Sequence, residues 1–224
     1  FIKILLIMKK LFALALSVLF WIPVIAQDLR VGVRGGVNFA NQRVEVMGLY
    51  NPLSRAGWQF GTVVDLAINE VVSVQPALLL SSKGVRYESG IVGVDYDVRF
   101  QPLYLHLPVP IIASAETAGI KLLGGIGPYA SVGIGGKIVA EGSIDAIGFN
   151  IEGDESIEWG SERGDHYRTV DAGIQFLVGI EPIENFQLLV SYEQGLTNIS
   201  PTHDNDALIR NRVFNFTLTT FLTR

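Results

Sequence analysis

Ser161, Asp165 and His166 place a hydroxyl, a carboxylate and an imidazole within one short stretch, the parts from which an activated nucleophile is built. Working triads, however, are assembled from separate segments of a chain, and these three are near neighbours, so no catalytic residue is assigned. Between Glu141 and Asp165 stand eight acidic residues (Glu141, Asp145, Glu152, Asp154, Glu155, Glu158, Glu162 and Asp165) against one basic residue, Arg163. Carboxylate oxygens suit hard cations such as calcium. No fixed ligand spacing accompanies them, and the expectation is a solvated acidic loop with no metal site. His106 is an imidazole whose charge can switch near neutral pH, or a hydrogen-bonded core residue. His203 beside Asp204 and Asp206 has no metal-site spacing. Gly32, Gly35 and Gly36 have no helix after them to make a phosphate loop. No cofactor is implied.

The elements that must position these residues are strands. Apolar and polar residues alternate over Leu29–Phe39, Trp58–Ile68, Val71–Lys83, Phe100–Ile112, Ile120–Ile138, Tyr167–Ile180, Phe186–Gly195 and Arg212–Leu222, and a period of two marks a strand with one greasy face. These runs reach the ~9–11 residues that a tilted strand needs to cross a bilayer. The connections between them alternate, at 18, 2, 16, 7, 28, 5 and 16 residues, the long-outside, short-inside asymmetry of outer-membrane barrels. The polar faces hold glycine, serine, glutamine and tyrosine with few charges, unlike the lysine- and glutamate-rich face that a soluble sheet shows to water. The fold class read from this pattern is all-β: an eight-stranded antiparallel up-and-down transmembrane β-barrel, occupying residues 27–224.

Ahead of it, Met8-Lys9-Lys10, an apolar run from Leu11 to Ile22, and Pro23-Val24-Ile25-Ala26 have the layout of a cleavable signal peptide over residues 1–26. Residues 1–7 precede the first methionine and read as an over-extended start. The run of 16 residues from Leu11 to Ala26 falls short of the ~20 that a membrane helix needs, and the expected cut follows Ala26. Export through this signal points to the outer membrane of a Gram-negative bacterium. The chain has no cysteine, and a net charge of -5 without a basic stripe argues against nucleic acid.

An eight-stranded barrel has just enough interior for side chains to fill, so the expectation is a plugged polar lumen without a pore. Arg30, Arg34, Asp65, Gln75, His106, Lys121, Tyr129, Asp171, Gln175 and Glu193 are expected to form its network, with Arg30 and Arg34 meeting Asp65, Asp171 or Glu193. Trp58, Phe60, Phe100, Tyr167, Tyr192 and Phe214 are expected at the outer rim as an interfacial girdle. The long connections, Ala40–Gly57, Gly84–Arg99, Val139–His166 and Leu196–Asn211, are placed outside the cell. Pro76 and Pro128 interrupt strands whose ladder they cannot donate to, which predicts bulges or early strand ends.

Five stretches taken together resemble the PorT-like outer-membrane β-barrel family of Bacteroidetes-type bacteria, from about Leu29 to the C-terminus. They are Val74-Gln75-Pro76-Ala77-Leu78-Leu79-Leu80 with Lys83-Gly84; Tyr104-Leu105-His106-Leu107-Pro108; Gly125-Ile126-Gly127-Pro128-Tyr129; Tyr192 through Gly195-Leu196-Thr197-Asn198-Ile199; and Asn211-Arg212. Against the family pattern, His106 and Ala77 stand where inward glutamates are usual, and the chain ends Phe221-Leu222-Thr223-Arg224 in place of a terminal aromatic. The family's named member is linked to secretion and maturation of exported proteases, so the resemblance implies a structural or secretion-accessory role. Two alternatives stay open: a surface binding or adhesion module using the acidic 139–166 loop, and a lipid A-modifying enzyme. The expected partners are outer-membrane lipid and secretion or envelope proteins, with the barrel a monomer.

Overall fold

The computed structural model describes residues 28–45, 53–91, 94–144, 149–162, 165–201 and 208–222. The expected signal peptide and its cleavage point lie outside the described residues, as does His203. Twelve strands follow in order: β1 (Asp28–Glu45), β2 (Leu53–Ala67), β3 (Val72–Val74), β4 (Ala77–Ser82), β5 (Val85–Ile91), β6 (Val94–Pro108), β7 (Ile111–Thr117), β8 (Ile120–Ile144), β9 (Phe149–Ser156), β10 (Val170–Ile183), β11 (Phe186–Gly195) and β12 (Leu208–Phe221). Every strand ladder is antiparallel, and β1 pairs with β12 on one side and β2 on the other, which closes the sheet into a barrel.

Twelve strands replace the expected eight unbroken ones. Around the ring they run β1, β12, β11, β10, β8, then β6 with β7, then β4 with β3, then β2. Two of the divisions have a physical cause in proline, which cannot donate to a ladder. Gln75-Pro76 separates β3 from β4, and Val109-Pro110 separates β6 from β7. The carbonyls on each side keep the neighbours attached: Val64 N–H donates to Pro76 O, Gln75 N–H to Pro110 O and Val109 N–H to Pro128 O, each at 2.9 Å. Pro128 itself breaks nothing. It lies inside β8 facing the gap between β6 and β7, where the ladder is already interrupted.

The long connections also differ from expectation, because the ladders climb beyond the bilayer. β1 continues to Glu45 and β2 begins at Leu53; 85–91 and 94–99 form a β-hairpin; and β8 reaches Ile144 before turning back as β9. At ~3.3 Å per residue, the 25 residues of β8 far exceed one crossing. At the opposite end the turns are tight. Ala118 and Gly119 join β7 to β8 with φ of 50° and 78°, and Asn185, φ 68°, turns β10 into β11, conformations that asparagine and glycine tolerate best.

The outward faces carry the apolar residues. Phe39, Trp58, Leu80, Ile134, Val170 and Phe214 remain broadly exposed at the upper end, and Leu29, Val71, Ile111, Leu122 and Ile183 at the lower. Large apolar side chains left uncovered all around a closed wall are what a lipid-facing surface requires. The prediction is that Val178→Arg, midway down β10 on this face, lowers folding free energy by about 2–4 kcal/mol and Leu222→Arg, at the end of the wall, by about 1 kcal/mol or less, measured by urea titration of the barrel in phospholipid vesicles.

Candidate functional site

The inward positions of every strand meet in one lumen, and its layers can be followed from the tight-turn end upward. At the floor, Arg30 Nε donates to Asp65 Oδ2 at 3.0 Å and Arg30 Nη1 to Glu181 Oε1 at 3.0 Å, with the guanidinium 4.3 Å from the centre of the Phe221 ring. Beside this ionic floor, Ile112, Leu123, Leu177 and Leu189 form a small apolar cluster. Next, Arg34 donates to Gln75 Oε1 and Thr219 Oγ1, each at 2.8 Å, and Gln75 reaches Gln187. Arg34 thus takes neutral acceptors and no carboxylate, whereas Arg30 takes two.

At mid-height Lys83 and Glu193, both with side chains wholly out of solvent, pair at 2.7 Å. His106 completes the cluster: its Nδ1 lies 2.8 Å from Ser131 Oγ and 3.4 Å from Lys83 Nζ, and its Nε2 3.2 Å from Glu193 Oε1. Asn215 donates to Glu193 Oε1 at 3.0 Å, and Gln175 to Ser191 Oγ. The ammonium of Lys83 also sits 4.8 Å from the centre of the Tyr129 ring, a cation–π contact that strengthens out of water. Above it, Asp171 accepts from Asn211, Thr197 and Tyr129 at 3.0, 3.1 and 3.4 Å.

The mouth is capped by residues 157–162 and 165–169, which leave the wall between β9 and β10 and turn inward. Trp159 packs edge-on against Tyr104 with ring centres 5.1 Å apart, and Tyr167 meets Phe100 at 6.0 Å. Ile157, Tyr167 and Ile199 are buried together. Gly133 makes the seat: a Cβ there would run into the Trp159 ring. Its amide donates to Thr169 O at 2.8 Å, pinning the far end of the segment to β8.

The structure departs from the sequence pattern at three places. Lys121 is exposed and outside the lumen network. It has inward parity, but it lies below Leu123, past the floor, next to the turn. Phe100 and Tyr167 are not girdle residues; both point inward and help cap the mouth. The 139–166 stretch is not one solvated loop, since its first part is the β8–β9 hairpin and its last part is the inward cap. Trp58, Phe60 and Phe214 lie exposed on the outer wall, and Tyr192 packs against Phe214 at 5.0 Å. The network also includes Lys83, Glu181, Gln187, Asn211 and Asn215, none of them among the expected residues. Strand parity is the available signal for Lys83, Glu181 and Gln187, which share faces with Gln75, Gln175 and Glu193, and for Asn215, which alternates with the outward Phe214 and Phe216; Asn211 falls in a stretch expected to be an outer connection.

The Ser161–Asp165–His166 group does not converge. Asp165 Oδ2 accepts the Glu162 amide at 2.6 Å and His166 Nδ1 accepts the Glu158 amide at 3.0 Å, so both side chains hold the cap's own backbone. Among the described residues no three acidic or histidine side chains are placed to hold a metal ion. Higher on the outer wall, Arg86 and Arg99 both pair with Asp97, and Arg99 also with Glu141. The hydrogen bond from Arg86 holds the Asp97 carboxyl below its ordinary range.

The closed antiparallel wall, its apolar outer face and its polar filling define an outer-membrane β-barrel. The family model for the outer membrane protein beta-barrel domain matches residues 25–200, and the chain belongs to that family, whose place is the outer membrane. Among solved structures, Ail, the attachment invasion locus protein of Yersinia pestis, is 15% identical, covers 87% of this chain and 99% of its own, and has a TM-score of 0.39. Outer membrane protein OprG from Pseudomonas aeruginosa is 11% identical over 87% of this chain and 96% of its own, with a TM-score of 0.46. Neisserial surface protein A is 12% identical over 87% and 99%, with a TM-score of 0.39. No curated protein matches the sequence.

Two outcomes are expected of the lumen. Glu193→Ala leaves the Lys83 charge buried without its partner and lowers stability by about 3–5 kcal/mol, while the double replacement Lys83→Met, Glu193→Leu restores most of it, both read by urea titration in vesicles. Gly133→Val expels Trp159 from its seat and loosens the cap, and limited proteolysis of whole cells then cuts within 157–169 in the variant but not in the parent.

Proposed function

We propose that this chain is a non-enzymatic outer-membrane barrel with a structural or secretion-accessory role, acting through the hairpins that rise from its outer mouth. The observation that carries this reading is the closed lumen. Charged and amide side chains from across the barrel are hydrogen-bonded to one another within it, and Trp159 and Tyr167 close its outer end. An eight-position ring has room for little besides its own side chains, and Asp165 and His166 of the one candidate nucleophile cluster are held in hydrogen bonds to the cap's own backbone. What remains free to meet other molecules is the surface above the bilayer, above all the β5–β6 and β8–β9 hairpins. The resemblance to PorT-like barrels points the same way by analogy of fold.

A second reading, a binding or adhesion module, is favoured by the outer edge of β9. Among the described residues β9 pairs with β8 alone, and Asp154 and Glu155 are exposed along it. An unpaired edge can add an extended strand from a partner.

The two readings separate by where the partner comes from. Tagged barrel drawn from native membranes is expected to bring envelope or secretion proteins with it, and deleting residues 140–153 is expected to release them while heat-modifiable gel migration persists. If the barrel emerges alone from native membranes, the accessory role falls. If it captures only external ligands, and does so through 140–153, the adhesion reading replaces it.

A further inference from the structure

Among the described residues, charged side chains above the lipid-facing band form ion pairs on one side of the barrel, while on the other Arg210 and Arg212 have no carboxylate partner. On the β5–β6–β8–β9 side, Arg86 and Arg99 meet Asp97, Arg99 meets Glu141 and Lys137 meets Asp154. On the β12–β1 side, Arg210 and Arg212 occupy outward positions in line with Phe214 and Phe216, because the inward positions of β12 are Asn211, Val213 and Asn215. Arg210 is the register partner of Arg43, and Arg212 of Asn41 and Gln194. Among the described residues no carboxylate pairs with Arg210 or Arg212, and the Nε of each is shielded from solvent without an acceptor. The guanidinium stems are packed on the wall, so both charges are held in place and half-buried.

Their height matters as much as their charge. Immediately below them the wall is aromatic: Phe39 meets Phe216 with ring centres 6.2 Å apart, and Tyr192 meets Phe214 at 5.0 Å. Tyrosine and its neighbours at such a level mark the edge of the hydrocarbon. For a strand tilted by ~40°, Arg212 and Arg210 rise about 5 and 10 Å above Phe214, into and just beyond the polar layer of ~5–8 Å that caps each leaflet. Fixed guanidinium groups at that depth face the phosphates of lipid headgroups, and the arginine fork matches phosphate oxygens in paired hydrogen bonds.

We propose that Arg210 and Arg212 form a binding site for the phosphate of an outer-leaflet lipid headgroup on the β12–β1 face. The site orients the barrel in the leaflet and gives its wall one lipid-binding side. It rests on the outer-membrane placement and is independent of the accessory role.

The test places the full barrel in phosphatidylcholine vesicles doped either with lipid A carrying its phosphates or with lipid A stripped of them, and counts retained lipid by native mass spectrometry. The parent is expected to retain the phosphorylated form preferentially. Arg210→Gln with Arg212→Gln is expected to reduce that retention about tenfold, the loss of one or two charge-assisted hydrogen bonds. Arg99→Gln, on the ion-paired side, is expected to leave it unchanged, and added inorganic phosphate is expected not to displace the lipid. Equal retention of both lipid A forms, an unaltered double variant, or an equal loss in Arg99→Gln would each overturn the proposal. Displacement by inorganic phosphate would make this a free-anion site and overturn the assignment to lipid. If the double variant fails to fold, Arg212→Gln alone and Arg210→Lys with Arg212→Lys carry the same test, since lysine keeps the charge and loses the fork.

Discussion

The ion pair between Lys83 and Glu193 shows what the closed ring demands. When a sheet closes on itself at this width, the inward positions of all its strands share one narrow, dry space. A charge placed there is costly unless a counter-charge or hydrogen bonds from neutral groups offset its lost hydration. The lumen supplies these by layers. Two carboxylates serve Arg30 at the floor, and Lys83, His106 and Glu193 share the middle. Amides and hydroxyls serve Arg34 and Asp171 without a counter-charge. Each layer draws on strands far apart in sequence, so the barrel's interior depends on correct closure and in turn holds the ring to one register.

The cap follows from the same demand. An open mouth would let water reach the mid-height cluster and weaken its electrostatics. The chain instead turns residues 157–162 and 165–169 inward and ends the polar column with Trp159, Tyr167, Phe100 and Tyr104. Gly133 makes this possible by leaving room on β8 for an indole ring. With the polar column capped at this end, the surfaces left for recognition are the extended hairpins and the outer wall, where among the described residues Arg210 and Arg212 have no carboxylate partner.

The alternation of residues made the wall readable from sequence, because period two assigns each side chain a face without knowledge of its neighbours. Glu193, Asp171 and His106 were therefore placed inside on parity alone. Their partners were not readable in the same way. Arg34 meets Gln75 and Thr219 instead of a carboxylate because register sets heights, and register depends on pairings between distant strands. Parity also pointed to Phe100 as inward, yet its aromatic ring suggested the girdle, and composition was the weaker guide. The inward turn at Trp159 had no periodic signature at all. Only the small size of Gly133, on another strand, records that a large ring must fit there.

Planar-bilayer recording tests directly whether this lumen is filled and closed. The folded barrel is expected to insert without producing stepwise current. Stable, uniform conductance steps from the parent protein would mean that a continuous water path runs past Lys83, Glu193 and Trp159, and would contradict a closed lumen.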